Sequence, residues 1–142
     1  MNGRETNFLR YIKIVLVIEG GRIIMLKEII EEYFRAGEAR EIYKMVDFYA
    51  ENGTFQFASM PPSRGKAEIN KALSEVISQL PEDFQHVCHY VVAENFVVPH
   101  GVLRLKYPDG RVVDWPFCDV FEFKGNKIKH CTVYGDTATF PK

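Results

Sequence analysis

The chain changes its hydrophobic period along its length, and the changes mark its elements. Leu26, Ile29, Ile30, Tyr33 and Phe34 recur at three- and four-residue spacing, which predicts a helix with one buried face. Gly37 punctuates that helix. A second is expected from near Glu38, with Ile42, Met45, Val46 and Tyr49 on its inner side. Asn52-Gly53 reads as a turn, and Thr54 to Phe57 as a short strand. Two prolines and a glycine make Met60 to Gly65 irregular. A third helix follows, striped by Ile69, Leu73, Val76, Ile77 and Leu80, and Pro81 ends it.

Beyond Pro81 the period falls to two. Strands are predicted near His86 to Ala93, Phe96 to Tyr107, Arg111 to Phe123 and Lys127 to Tyr134. Pro108-Asp109-Gly110 and Lys124-Gly125-Asn126 supply hairpin turns with glycine available for positive φ. Helices first and a meander of long strands afterwards predict an α+β fold with a mostly antiparallel sheet. No repeat or linker divides the 142 residues, a length that suits one domain.

The first 24 residues read differently, as an extension to a domain spanning 25–142. Tyr11 to Ile18 has the β-branched content of a strand, stopped by Gly20-Gly21. Either it is an extra edge strand, or Glu19-Gly20-Gly21-Arg22 is a translated ribosome-binding region ahead of a start at Met25. Ile12 to Ile18 falls far short of the roughly twenty apolar residues of a membrane span. Acidic Glu5 and the lack of a small-residue cleavage site argue against a signal peptide, so a cytoplasmic protein is expected.

Composition narrows the function classes. Eighteen basic and nineteen acidic residues leave a net charge of −1, with no Lys/Arg stripe between aromatics, so nucleic acid is not an expected partner. The three cysteines, Cys88, Cys118 and Cys131, show no metal-ligand spacing and read as buried free thiols. Aromatics reach 13%, enough to line a ligand cavity as well as fill a core.

Three stretches carry a family resemblance. One is Phe48-Tyr49-Ala50-Glu51-Asn52-Gly53-Thr54-Phe55 after a helix–glycine–helix pattern. Another is Arg64-Gly65-Lys66-Ala67-Glu68-Ile69 opening the third helix. The last joins Asp119-Val120-Phe121-Glu122-Phe123, Gly125-Asn126-Lys127-Ile128 and Tyr134-Gly135-Asp136. In this order they resemble the SnoaL-like branch of the nuclear transport factor 2-like superfamily, which includes ketosteroid isomerases, polyketide cyclases and scytalone dehydratases. The resemblance covers Met25 to about Phe140. It implies a cone-shaped, curved, mostly antiparallel sheet packed against three N-terminal helices, an α+β barrel with a small-molecule pocket. It also implies a homodimer.

Period two then assigns an inner face. Trp115, Phe117 and Asp119 share one side of their strand; Leu103 and Leu105 face in from the strand before it. On the last strand, His130, Thr132 and Tyr134 share a face and are assigned to the pocket. Tyr33 reaches in from the first helix. Val87, Val91, Cys118 and Val120 are expected on the outer face, where a partner copy would cover them.

Asp119 is a carboxylate on an apolar wall, where it must keep its proton or find donors. By resemblance, Tyr33 and Asp119 match the Tyr and Asp that stabilise an oxyanion in the isomerases. The base is missing from its family position. Phe57 stands where the isomerases carry an Asp, and Cys131-Thr132-Val133 replaces the cyclases' His-Trp-Asp run. Histidine is the substitute, and His130 or His86 is expected to move the proton. His86 and His89 point to opposite faces and cannot chelate one metal; family register favours His86. His100 is expected to be exposed, Asp114 solvated, and Asp136 a turn residue. Trp115 reads either as a ligand platform or as a dimer-facing or core residue.

No dinucleotide fingerprint, P-loop, nucleophile elbow or metal cluster is present, so no cofactor is expected. Two functions stand. One is a cofactor-independent isomerase, cyclase or dehydratase acting on a small apolar carbonyl or hydroxyl compound. The other is a ligand-binding or assembly domain that kept the pocket and lost the base.

Overall fold

In the computed structural model, which describes residues 21–142, the alternating C-terminal half becomes four long antiparallel strands. They are β3 (Asp83–Ala93), β4 (Phe96–Lys106), β5 (Val112–Lys124) and β6 (Lys127–Gly135), each paired with the next. β1 (Tyr49–Phe57) runs parallel to β6, and the two-residue β2 (Ser63–Arg64) edges β1. The curved, open sheet has the order β2-β1-β6-β5-β4-β3. Helices α1 (residues 21–38), α2 (Ile42–Asp47) and α3 (Gly65–Ser78) complete the α+β fold. The expected strand Tyr11 to Ile18 lies outside the described residues.

Three local expectations shift. α1 passes straight through Gly37, whose missing side chain makes room for Met45; a Cβ there would meet the Met45 Sδ at 3.3 Å. The chain turns instead at Arg40, which adopts a left-handed φ of 59°. The Arg40 guanidinium then donates to the carbonyls of Leu80 at 2.9 Å and Pro81 at 2.7 Å, fastening the end of α3 to this turn. α2 is short, so Tyr49 opens β1 rather than closing a helix. Asn52-Gly53 is a bulge inside β1, not a turn: Tyr49 pairs with Ile128 while Thr54 pairs with His130.

One glycine lets two strands approach unusually closely. A Cβ on Gly101 of β4 would lie 2.2 Å from the Val87 carbonyl oxygen and 2.7 Å from the Cys88 Cα, both backbone atoms of β3. Glycine kinks of this kind are how a sheet is made to bend over its own face. The concave face carries Phe84, Leu103, Leu105, Phe117 and Phe121, all buried, and α1 lies across it. Tyr33 packs edge-on against Phe121 with ring centroids 5.3 Å apart, and Phe34 packs against Phe117 at 6.1 Å. On the convex face Val87, Val91 and Tyr134 are exposed, with Cys118 and Val120 half-buried between them.

Candidate functional site

A cavity of about 80 Å³ lies between the concave sheet face, α1 and α3. Tyr33, Phe57, His86, Leu103, Trp115, Phe117 and Asp119 line it, among them Leu103, Trp115, Phe117 and Asp119 of the face assigned by alternation. Leu105 is buried on the same face but lies outside the lining. One row across three strands, His86–Leu103–Trp115, forms one wall. The six-membered ring of the Trp115 indole lies close against Gly135, where a Cβ would come within 2.1 Å of it. It is stacked on Phe57, and its Nε1 donates to the Asp136 carbonyl at 3.0 Å. Asp136 is the expected turn residue, its Oδ1 accepting from the Ala138 N–H.

The last strand corrects the expected inner set. His130, Thr132 and Tyr134 do not line the cavity. They sit opposite Glu122, Val120 and Cys118, on the convex face. The inward residues are Cys131 and Val133, opposite Phe121 and Asp119. Phe123 pairs with Ile128 and Glu122 with His130, so Lys129 is an extra residue in β6. A one-residue bulge inverts the alternation beyond it. The His130 Nδ1 instead pairs with the Thr54 hydroxyl at 2.6 Å. His130 is thereby removed from the pocket chemistry.

Asp119 is 6% exposed, and its Oδ1 has no hydrogen-bond partner. Burial alone pushes its carboxyl up to about 8, so it is neutral at pH 7 and carries a proton to donate. Near it runs a buried polar chain. The Tyr33 and Tyr49 hydroxyls are 2.9 Å apart, and the Tyr49 hydroxyl also lies against the Cys131 thiol. Burial raises all three well above their ordinary values, so they too stay protonated.

His86 is organised by α1. Phe34 stacks on its ring at 3.8 Å between centroids, and Glu38, one turn later, accepts from both its backbone N–H (2.7 Å) and its Nδ1 (3.0 Å). A carboxylate on Nδ1 fixes the tautomer that leaves the Nε2 lone pair free, and the His86 hydrogen bonds found among the described residues use its backbone N–H and Nδ1. Desolvation lowers the His86 pKa more than Glu38 raises it, so the imidazole is neutral near pH 7. Glu38 is pushed up by burial but carried below its ordinary value by the two His86 contacts. His89 and His100 lie exposed on the convex face, and Asp114 is exposed and paired with Arg104 at 2.8 Å.

The sequence reading gave no site role to Glu38, Tyr49, Cys131 or Phe140. Glu38 did leave a signal: it continues the stripe Ile30–Phe34 at four-residue spacing, the only acid to do so. Among the described residues no three His, Cys, Asp or Glu side chains converge to hold a metal. No described helix is long and apolar enough to cross a membrane.

The fold and this apolar, acid-bearing cavity define a class. The profile of the SnoaL-like domain matches residues 30–131, and the chain belongs to that family. Solved structures agree on the fold. A putative polyketide cyclase from Xanthomonas campestris superposes with a TM-score of 0.69 at 16% identity, over 82% of this chain and 93% of that one. SalBIII, an epoxide hydrolase/cyclase-like enzyme of pyran ring formation in the polyether salinomycin, gives 0.66 at 20% identity over 80% and 92%. A ketosteroid isomerase-like protein from Catenulispora acidiphila, in complex with trimethylamine, gives 0.68 at 14% over 80% and 88%. At these identities the likeness is one of fold. No curated protein matches the chain closely enough to count as a relative.

Proposed function

We propose that the protein is a cofactor-independent acid/base catalyst acting on a small apolar carbonyl or hydroxyl compound, as an isomerase, cyclase or dehydratase. One observation carries this: a neutral, unpartnered Asp119 carboxyl shares a cavity with a histidine whose Nδ1 is held by Glu38. Asp119 donates a hydrogen bond to the substrate oxygen as negative charge gathers on it, which is the task of an oxyanion hole. His86 Nε2 takes the proton from the neighbouring carbon or hydroxyl. Glu38 stabilises the imidazolium that results. Tyr33 acts with Asp119 while Tyr49 hydrogen-bonds its hydroxyl. His86 thus fills the role left empty by Phe57, a role the sequence had shared between His130 and His86.

The pH profile tests the assignment. kcat/KM of the free enzyme should rise with deprotonation of His86, below its ordinary 6.5, and fall with ionisation of Asp119 near 8. Asp119→Asn should fold, retain part of the activity and lose the alkaline limb. Glu38→Gln should lower kcat by roughly 10- to 100-fold, since the imidazolium loses its counter-charge. An alkaline limb that survives in Asp119→Asn assigns it to another group.

The second reading is a non-catalytic pocket. Phe57 at the resemblance's base position favours it, and ligand binding that is indifferent to His86→Ala would support it. Under either reading we place a second copy on the convex face, where Val87 and Val91 are 41% and 55% exposed on one strand. Sedimentation at micromolar concentration should show a dimer, and Val91→Lys should dissociate it.

A further inference from the structure

Resting on that reading of the cavity, we infer that the ligand site has two chambers separated by Phe140, and that its occupant is an elongated apolar molecule with its reacting oxygen at the inner end. The inner cavity, about 80 Å³, is too small for a ring. A protein cavity that takes benzene measures about 150 Å³. Directly outside it lies a second hollow of about 320 Å³. The two share Phe55, Phe57, Val76 and Phe140 as walls, so they are one space with a partition.

Phe140 is the part of that partition able to leave. Phe55 and Phe57 belong to β1, and Val76 to α3, each held by its own ladder of backbone hydrogen bonds. Phe140 follows the last strand. The chain before it is fastened at Asp136, whose backbone and carboxylate oxygens take the Trp115, Ala138 and Thr139 donors. Past Thr139 no hydrogen bond is found among the described residues. The Phe140 ring is 8% exposed and is held by two edge-to-face contacts, with Phe57 and Trp115, at 4.9 Å each. A ligand ring taking the place of Phe140 against Phe57 and Trp115 replaces both contacts with its own, so expelling Phe140 costs those walls little net packing.

The polarity of the two chambers sets the ligand's orientation. The inner one is walled by aliphatic and aromatic side chains and holds Asp119 and His86. The outer one adds Ser63, Glu75, Gln79, Thr137 and Lys142 at its lining. An apolar body with a hydroxylated or otherwise hydrogen-bonding distal end fits this gradient. The reacting carbonyl or hydroxyl goes inward.

Trp115 is the sole tryptophan, so its indole N–H resonance reports the partition directly. Acetone and 2-decalone serve as the short and long probes, titrated into wild type, Phe140→Ala, Phe140→Leu and Asp119→Leu. The expected result is that Phe140→Ala binds 2-decalone roughly tenfold tighter than wild type, or better, with acetone changed less than about twofold. Phe140→Leu, which keeps an apolar plug, should fall between. Equal changes for the two ketones, or an unchanged 2-decalone affinity, overturn the two-chamber site and make Phe140 an ordinary wall. The Asp119 arm is separate. If Asp119→Leu binds 2-decalone as wild type does, the oxygen-polarising reading fails while the size effect stands. Failure of both ketones to bind any variant overturns both.

Discussion

Between about pH 6.5 and about 8 the folded protein should lose roughly 1.4 kcal/mol of stability per pH unit, and Asp119→Leu should abolish that slope. In the folded chain Asp119 holds its proton up to about 8; in the unfolded chain it releases it near 3.8. The folded state therefore binds the extra proton, and rising pH favours unfolding. The contribution is greatest in acid, declines from pH 3.8 upward and is gone above the folded value. Over the whole range it amounts to on the order of 5 kcal/mol, a large share of a typical domain's stability. Depression of the His86 pKa acts in the opposite sense, stabilising above 6.5 and lost as pH falls, so measurement above 6.5 isolates Asp119. Urea midpoints at pH 6.5 and 8 read the effect. Asp119→Leu should be flat and several kcal/mol more stable than wild type at pH 8, yet without turnover. A flat wild-type profile would mean that Asp119 finds water or a partner.

Gly101→Ala should prevent folding. Its Cβ would meet the Val87 oxygen at 2.2 Å and the Cys88 Cα at 2.7 Å, and neither atom can swing aside because both belong to the paired strand. Relief requires β3 and β4 to separate where the sheet bends, at a cost above about 4 kcal/mol. Soluble yield and thermal unfolding measure it. Gly110→Ala is the control, since its Cβ would meet nothing within 4 Å. That variant should show only the modest strain of a side chain at a φ of 89°, and a fully folded Gly101→Ala would disprove the account.

Periodicity revealed the architecture because burial imposes it: α1, α3 and all four long strands were legible from spacing alone. Gly37 misled because glycine marks either a break or a close approach, and only the Met45 side chain facing it decides which. Alternation placed Asp119 on the inner face, whereas the roles given to Tyr33 and Asp119 and the choice of His86 over His89 came from the family resemblance. Glu38 was missed because its partner lies 48 residues away and local pattern is blind to such pairs. His130 was misplaced because a bulge has no signature in composition. Lys129 looks like any other polar strand residue, and the count of two runs on unbroken in the sequence.

That extra residue has a consequence for descent. Loss of the single codon for Lys129 would leave β6 one residue shorter and restore strict alternation from Ile128. His130, Thr132 and Tyr134 would keep the convex side and Cys131 and Val133 the inner one, because the ladder beyond the bulge already sets His130 opposite Glu122 and Cys131 opposite Phe121. One deletion would thus smooth the strand and leave the imidazole and both hydroxyls outside the cavity. In an alignment of related chains, a gap at this position therefore joins sequences whose plain count of two differs but which present the same side chains to the ligand.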